Sequence, residues 1–82
     1  MTTQKINVTL HNGLSSNSAC RFIQAATQFH SEIQLTNGSN SVNAKSLLGV
    51  LSLEIKKGDT IIIAANGPDE AESVTTLSKM FL

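Results

Sequence analysis

Glu32-Ile33-Gln34-Leu35-Thr36-Asn37-Gly38-Ser39-Asn40-Ser41-Val42-Asn43 is the stretch that decides the fold class. Through Thr36, apolar and polar residues alternate, so Ile33 and Leu35 share one face and Glu32, Gln34 and Thr36 the other. Asn37-Gly38 is a strong short hairpin signal. The chain then returns through residues 40–43 with Val42 inward. Two strands joined through Asn37-Gly38-Ser39-Asn40 run antiparallel, and the alternation leaves one sheet face in water.

On the N-terminal side, residues 4–10 alternate again. Ile6, Val8 and Leu10 face one way, and Lys5, Asn7 and Thr9 the other. This is a half-buried strand, broken by Asn12-Gly13. Ser15, Ser16, Asn17 and Ser18 are four N-cap-type residues, followed at helical spacing by Ala19, Phe22, Ile23, Ala26 and Phe29. A helix is expected from residue 16–18 to 28–30. On the C-terminal side, Ser46 caps a shorter helix from Leu47 to about Leu53. Gly49 weakens it by roughly 1 kcal/mol relative to alanine. Lys56-Lys57-Gly58-Asp59 reads as a turn, and the continuous run Thr60 to Ala65 as a central strand. Asn66-Gly67-Pro68 ends it. Asp69 then caps a last helix, with Glu70 and Glu72 in the first turn, and Ala71, Val74, Leu77 and Met80 or Phe81 form its buried stripe.

The order strand, helix, strand, strand, helix, strand, helix fits a two-layer α+β sandwich. Periodicity leaves a ferredoxin-like arrangement open, since it shares the βαββαβ order. The expected core is Ile6, Val8, Phe22, Ile23, Ala26, Ile33, Leu35, Ile61, Ile63, Val74 and Leu77.

The chain has 82 residues, 40% hydrophobic and 15% charged, which suits one small domain over 1–82 and no disordered tail. Six basic and six acidic side chains cancel. Without a Lys/Arg cluster, neither nucleic acid nor an anionic membrane is the expected partner. Three Phe with no Tyr or Trp offer no base-stacking platform. One cysteine, Cys20, makes no internal disulfide. No apolar run approaches ~18 residues, and Met1–Lys5 lacks a signal peptide's apolar stretch, so a cytoplasmic location is expected. His11 and His30 have no Cys, Asp or Glu spacing that completes a metal site, and no cofactor motif occurs.

Ser41-Val42-Asn43-Ala44-Lys45-Ser46-Leu47-Leu48-Gly49-Val50-Leu51-Ser52-Leu53 carries more than periodicity. It resembles the regulatory-serine segment of the histidine-containing phosphocarrier (HPr) family of the bacterial phosphoenolpyruvate:sugar phosphotransferase system. Asn66-Gly67-Pro68-Asp69-Glu70-Ala71-Glu72 is similar to that family's "DGADEAE" stretch, and Phe29-His30-Ser31-Glu32-Ile33-Gln34-Leu35 to its "FNSDINL". The resemblance runs without a gap from about residue 5 to 80. It implies an open-faced sandwich, four antiparallel strands covered by three helices.

The family's active centre reads Gly-Ile/Leu-His-Ala-Arg-Pro-Ala; here the chain has Gly13-Leu14-Ser15-Ser16-Asn17-Ser18-Ala19. Ser15 stands in place of the phosphorylated histidine, Asn17 of the phosphate-binding arginine, and Ser18 of the proline. A phosphocarrier needs a nucleophile that forms a labile phosphoryl adduct, as imidazole does. A serine without a nearby base is a poor nucleophile, and its phosphoester is too stable to pass on. The lost arginine removes a bidentate clamp. The resemblance places neither His11 nor His30 at the acceptor position. The Ser15–Ser18 cluster reads as a helix cap, with a residual anion site as the functional alternative.

By the same resemblance Ser46 is a regulatory phosphorylation target, as well as an N-cap, with Lys45 adjacent to help hold a phosphate. Leu47, Leu48 and Leu51 are an apolar docking patch with Cys20 near it. The function this implies is a regulatory or adaptor paralogue that lacks phosphotransfer. Its partners are proteins of the phosphotransferase system or its control: a serine kinase, a transcriptional regulator, or enzyme I/IIA-like docking. The family includes a catabolite-repression paralogue of this kind, but it keeps the arginine that Asn17 replaces. A working phosphocarrier in sugar uptake and a plain protein-interaction domain are the alternatives.

Overall fold

The computed structural model describes residues 1–11 and 13–82. The elements are β1 (Thr2–Asn7), α1 (Ser16–Ala26), β2 (Glu32–Asn37), β3 (Asn40–Asn43), α2 (Leu47–Ser52), β4 (Thr60–Asn66), α3 (Glu70–Ser78) and a closing 3-10 turn, Lys79–Phe81. The four strands form one sheet in the order β1-β4-β2-β3, and every pairing is antiparallel. The order distinguishes this sheet from the ferredoxin-like arrangement, whose antiparallel sheet runs β4-β1-β3-β2 with the first and third strands central; here β4 and β2 are central. The result is a four-stranded antiparallel sheet with three helices over one face.

Register explains the core. Ile6 pairs with Ile61, Ile63 lies between Gln4 and Leu35, and Leu35 is opposite Val42. Ala65 is paired with Ile33. These rows point at the helices, which supply Ala19, Phe22 and Ala26 from α1, Val50 from α2, and Val74 and Leu77 from α3. Phe22 and Phe81 meet with ring centroids 5.3 Å apart and tilted by 57°, a favourable geometry for aromatic quadrupoles. Of the expected core, all are buried except Ile23, which packs against the cluster only in part. Ala19, Ala44, Val50, Leu53, Ile55, Ala65 and Phe81 complete it.

Some expected boundaries shift. The first strand pairs over residues 2–7, not 4–10. Beyond Asn7 the chain still has inward residues, but their backbone bonds go elsewhere. Val8 N donates to Asp59 O, and Thr9 N and Leu10 N both donate to Phe81 O. The break expected at Asn12-Gly13 falls partly on Asn12, which is outside the described residues. The first helix ends at Ala26, and Gln28 and Phe29 close it with turn bonds to Ala25 and Ala26 carbonyls. Helix α2 stops at Ser52, with Leu53 as C-cap. The hairpin turns on Gly38-Ser39, with Asn37 paired to Asn40, so Gly38 rather than Asn37 takes the first central position. β4 is central, as its composition implies, yet Ile62 is 40% exposed, because no described helix lies over the second sheet face.

The clearest correction concerns Asp69. It holds the N-cap position of α3, but its side chain makes no capping bond. Its carboxylate instead takes Ser31 Oγ at 2.5 Å, His30 N at 2.9 Å and Ser31 N at 3.0 Å. This ties the start of α3 to the start of β2. Gly67 makes the approach possible: at φ +156°, a Cβ there would come within 2.6 Å of Ser31 Cα. Ala71 is exposed rather than buried, and Ser73 and Ser78 take inward positions, with their hydroxyls bonded to Glu70 O and Val74 O. A serine that bonds its own helix backbone can face a core without an unsatisfied oxygen.

Two predictions follow from the backbone and the carboxylates. Glu54, just past α2, sits at φ +49°, where a side chain crowds its own carbonyl. Glu54→Gly should therefore raise stability by about 1 kcal/mol in denaturant unfolding; a loss would contradict the strain.

The second concerns acid. The Ser31 hydroxyl, followed by the His30 amide, holds Asp69 down from 3.8 to about 2. The Thr2 hydroxyl, then the Met1 ammonium, holds Glu70 from 4.5 to about 2. Both carboxyls bind protons more tightly when unfolded, so their stabilisation is complete above about pH 4.5 and disappears as pH falls toward 2. The melting temperature should fall through that window, and less steeply for Asp69→Asn. Equal slopes for the two proteins would contradict the assignment.

Candidate functional site

Two helix starts carry the residues that the sequence singles out. The first is seated by backbone contacts. Gly13 N donates to Leu10 O and Leu14 N to Ile55 O, both at 3.0 Å. Gly13 lies at φ +62°, and a Cβ there would be 2.5 Å from Ile55 O and 2.8 Å from Lys56 Cα. Only glycine lets this loop rest on the Ile55-Lys56 backbone, and that contact sets Ser15 at the N-cap of α1.

Ser15 has extended backbone, and its Oγ accepts from Ser18 N at 3.3 Å. The Ser15 and Ser18 hydroxyls share a hydrogen bond of 3.0 Å. Ser15 and Asn17 are exposed and Ser18 is half-buried. No imidazole or carboxylate enters these bonds. The hydroxyl therefore lacks the base that would activate it, and Asn17 offers a neutral amide where a phosphate clamp needs a forked cation. His11 and His30 are both exposed. No group of three or more His, Cys, Asp or Glu gathers around a possible metal among the described residues.

The second start is Ser46. Its Oγ accepts from Gly49 N at 3.2 Å, and its carbonyl accepts from Val50 N at 2.9 Å. The residue is exposed. Gly49, which weakens the helix by propensity, lies against β3: a Cβ there would be 3.2 Å from Val42 Cβ. The apolar residues of α2 divide by spacing. Val50 and Leu53 turn inward at 1% and 7% exposure, while Leu47, Leu48 and Leu51 remain 38%, 82% and 36% exposed. One short helix has two apolar sides, and only one has a partner. Cys20 is also exposed, on α1, which packs against α2.

Lys45 Nζ donates to Phe29 O at 2.7 Å, past the end of α1, which engages one of its three hydrogens. Spacing could not have revealed this bond, because one partner is a backbone carbonyl 16 residues away. The Asp69 contacts with His30 and Ser31 were hidden in the same way.

An open antiparallel sheet with three helices, a glycine-seated loop at one helix start and a capping serine at the next define a phosphocarrier-type fold. The family model described as PTS HPr component phosphorylation site matches residues 2–82, and the chain belongs to the HPr family. It is 37% identical over 78 residues to the HPr-like protein Crh of Bacillus subtilis, covering 95% of this chain and 92% of that protein. Among solved structures, the phosphocarrier protein HPr from Bacillus anthracis superposes with a TM-score of 0.95 at 34% identity, covering 99% of this chain and 96% of that one. Crystalline Bacillus subtilis Crh, described as a swapped, intertwined dimer, has a TM-score of 0.78 at 36% identity, covering 99% and 93%.

Proposed function

We propose that this chain is a regulatory or adaptor HPr paralogue that binds partner proteins and does not carry phosphoryl groups on histidine. The observation that carries the reading is Ser15 at the acceptor position, whose hydroxyl bonds to Ser18 and has no imidazole or carboxylate bonded to it among the described residues. The likeness to proteins named HPr-like Crh supports it. In this reading all 82 residues act as one HPr-like unit in the cytoplasm, with no catalysis of their own. Ser46 is the modifiable residue. Leu47, Leu48 and Leu51, with Cys20 beside them, form the surface that partners engage.

The exposed Ser46 hydroxyl adjoins exposed Leu47 and Leu48. A phosphate there would put a dianion at the edge of an apolar patch, repelling acidic partners and attracting basic ones. The partners would be a serine kinase, then a regulator or a phosphotransferase-system protein.

Incubated with phosphoenolpyruvate and enzyme I, the chain should gain no acid-labile phosphoryl group by intact mass. An alkali-stable, acid-labile adduct would instead assign transfer to His11 or His30 and restore the carrier reading. Combining Ser15→His, Asn17→Arg and Ser18→Pro should recover some transfer, and Ser15→His alone less, since the clamp would still be absent.

With ATP and the HPr serine kinase, the chain should gain a single phosphoryl group. Ser46→Ala should abolish the gain and Ser15→Ala should leave it intact. If the kinase ignores the protein, the plain interaction domain becomes the better reading.

A further inference from the structure

Helix α1 carries a single charged residue, Arg21, which is also the only arginine in the chain. Ala19, Phe22 and Ala26 take the buried side of the helix; Asn17, Cys20, Arg21 and Gln24 are exposed. Asn17 and Arg21 are four residues apart, so they are neighbours on the helix surface, with Cβ atoms about 6 Å apart. Helical side chains lean toward the N-terminus, which brings the long Arg21 side chain back over the turn that holds Asn17. The guanidinium that the family pattern has at residue 17 therefore has a counterpart one turn further along.

Neither group is spent within the chain. The one ion pair among the described residues joins Met1 to Glu70, so Arg21 has no carboxylate of its own chain. The hydroxyls of Ser15 and Ser18 bond each other, and no hydrogen bond among the described residues reaches the Asn17 carboxamide. An asparagine amide offers two N–H donors, and an arginine offers five in a planar fork. Together the pair presents one positive charge. A carboxylate matches it, with one negative charge and two oxygens for the fork. A phosphate dianion would be left half neutralised. Cys20 shares the exposed side of α1, and α2, with its exposed Leu47, Leu48 and Leu51, packs against this helix.

We propose that Arg21, assisted by Asn17, binds a carboxylate of the partner protein. The partner brings an acidic group to α1 and an apolar one to α2. This rests on the partner-binding reading above and adds to it the residue that recognises charge and the group recognised.

The probes are enzyme I and the HPr serine kinase, each titrated with the full chain by calorimetry at low and at high salt. Arg21→Gln, conservative in helix propensity, should weaken binding about fivefold or more at low salt, and the difference should shrink at high salt as screening removes the attraction. A loss caused by disturbed packing would persist at high salt. Arg21→Lys should recover only part of the affinity, because it restores the charge without the fork. Asn17→Arg should tighten binding, and in that background Arg21→Gln should cost less than in the wild type, since two guanidinium groups then serve one carboxylate. Equal affinity of the wild type and Arg21→Gln at low salt, for each protein that binds, would overturn this assignment and leave the partner-binding reading standing. If neither protein binds the wild type, both fall. A ¹⁵N NMR titration with inorganic phosphate gives the last arm: saturable shifts centred on Asn17 and Arg21 would assign a free-anion site there and overturn the proposal.

Discussion

Ile61 and Ile63 lie on β4, which joins β1 to the β2–β3 hairpin, and their register decides where everything else goes. Ile61 meets Ile6 across one seam, and Ile63 meets Leu35 across the other. All four side chains are buried beneath the helices. A slip of one residue in β4 would turn Ile62 inward and expose Ile61 and Ile63. It would also pull Asn66 and Gly67 away from Ser31, and with them the turn that brings Asp69 onto the start of β2. The functional helix starts depend on the same sheet at one remove. Ile55, whose carbonyl seats Leu14, is itself buried in this core.

Much of this was legible in the sequence because the sheet is half wet. Alternation in residues 32–36, the Asn37-Gly38 turn and the 3.6-residue stripe from Ala19 to Ala26 each point to one face. They agree with one another, which is what a sequence that specifies one structure shows. What was not legible has two physical origins. Apolar content marked Thr60–Ala65 as central, but a run without alternation gave no sign of which of its residues face the open side, so Ile62 was unreadable. Side chains that bond distant backbone also leave no periodic trace. Asp69 has every mark of a helix cap, and it is the three donors of His30 and Ser31 that draw it away.

The site divides along the same line. Ser15, Asn17 and Ser18 were identified by the family pattern they break, and the structure places Ser15 at the start of α1. Leu47, Leu48 and Leu51 could be told from core leucines because six helical residues cannot present two apolar sides to one sheet.

The strand order also has a consequence in time. β4 is the last strand in the sequence, and both of its neighbours precede it. The β2–β3 hairpin needs only local contacts and can close early. β1 has no other partner in the sheet, and Ile6 waits for Ile61. Loop closure over such a span is slow relative to hairpin formation. A chain emerging from the ribosome thus carries β1 as an unpaired edge through most of its synthesis. Lys5 and Gln4, polar residues at the heart of that strand, keep it from finding another chain's edge first.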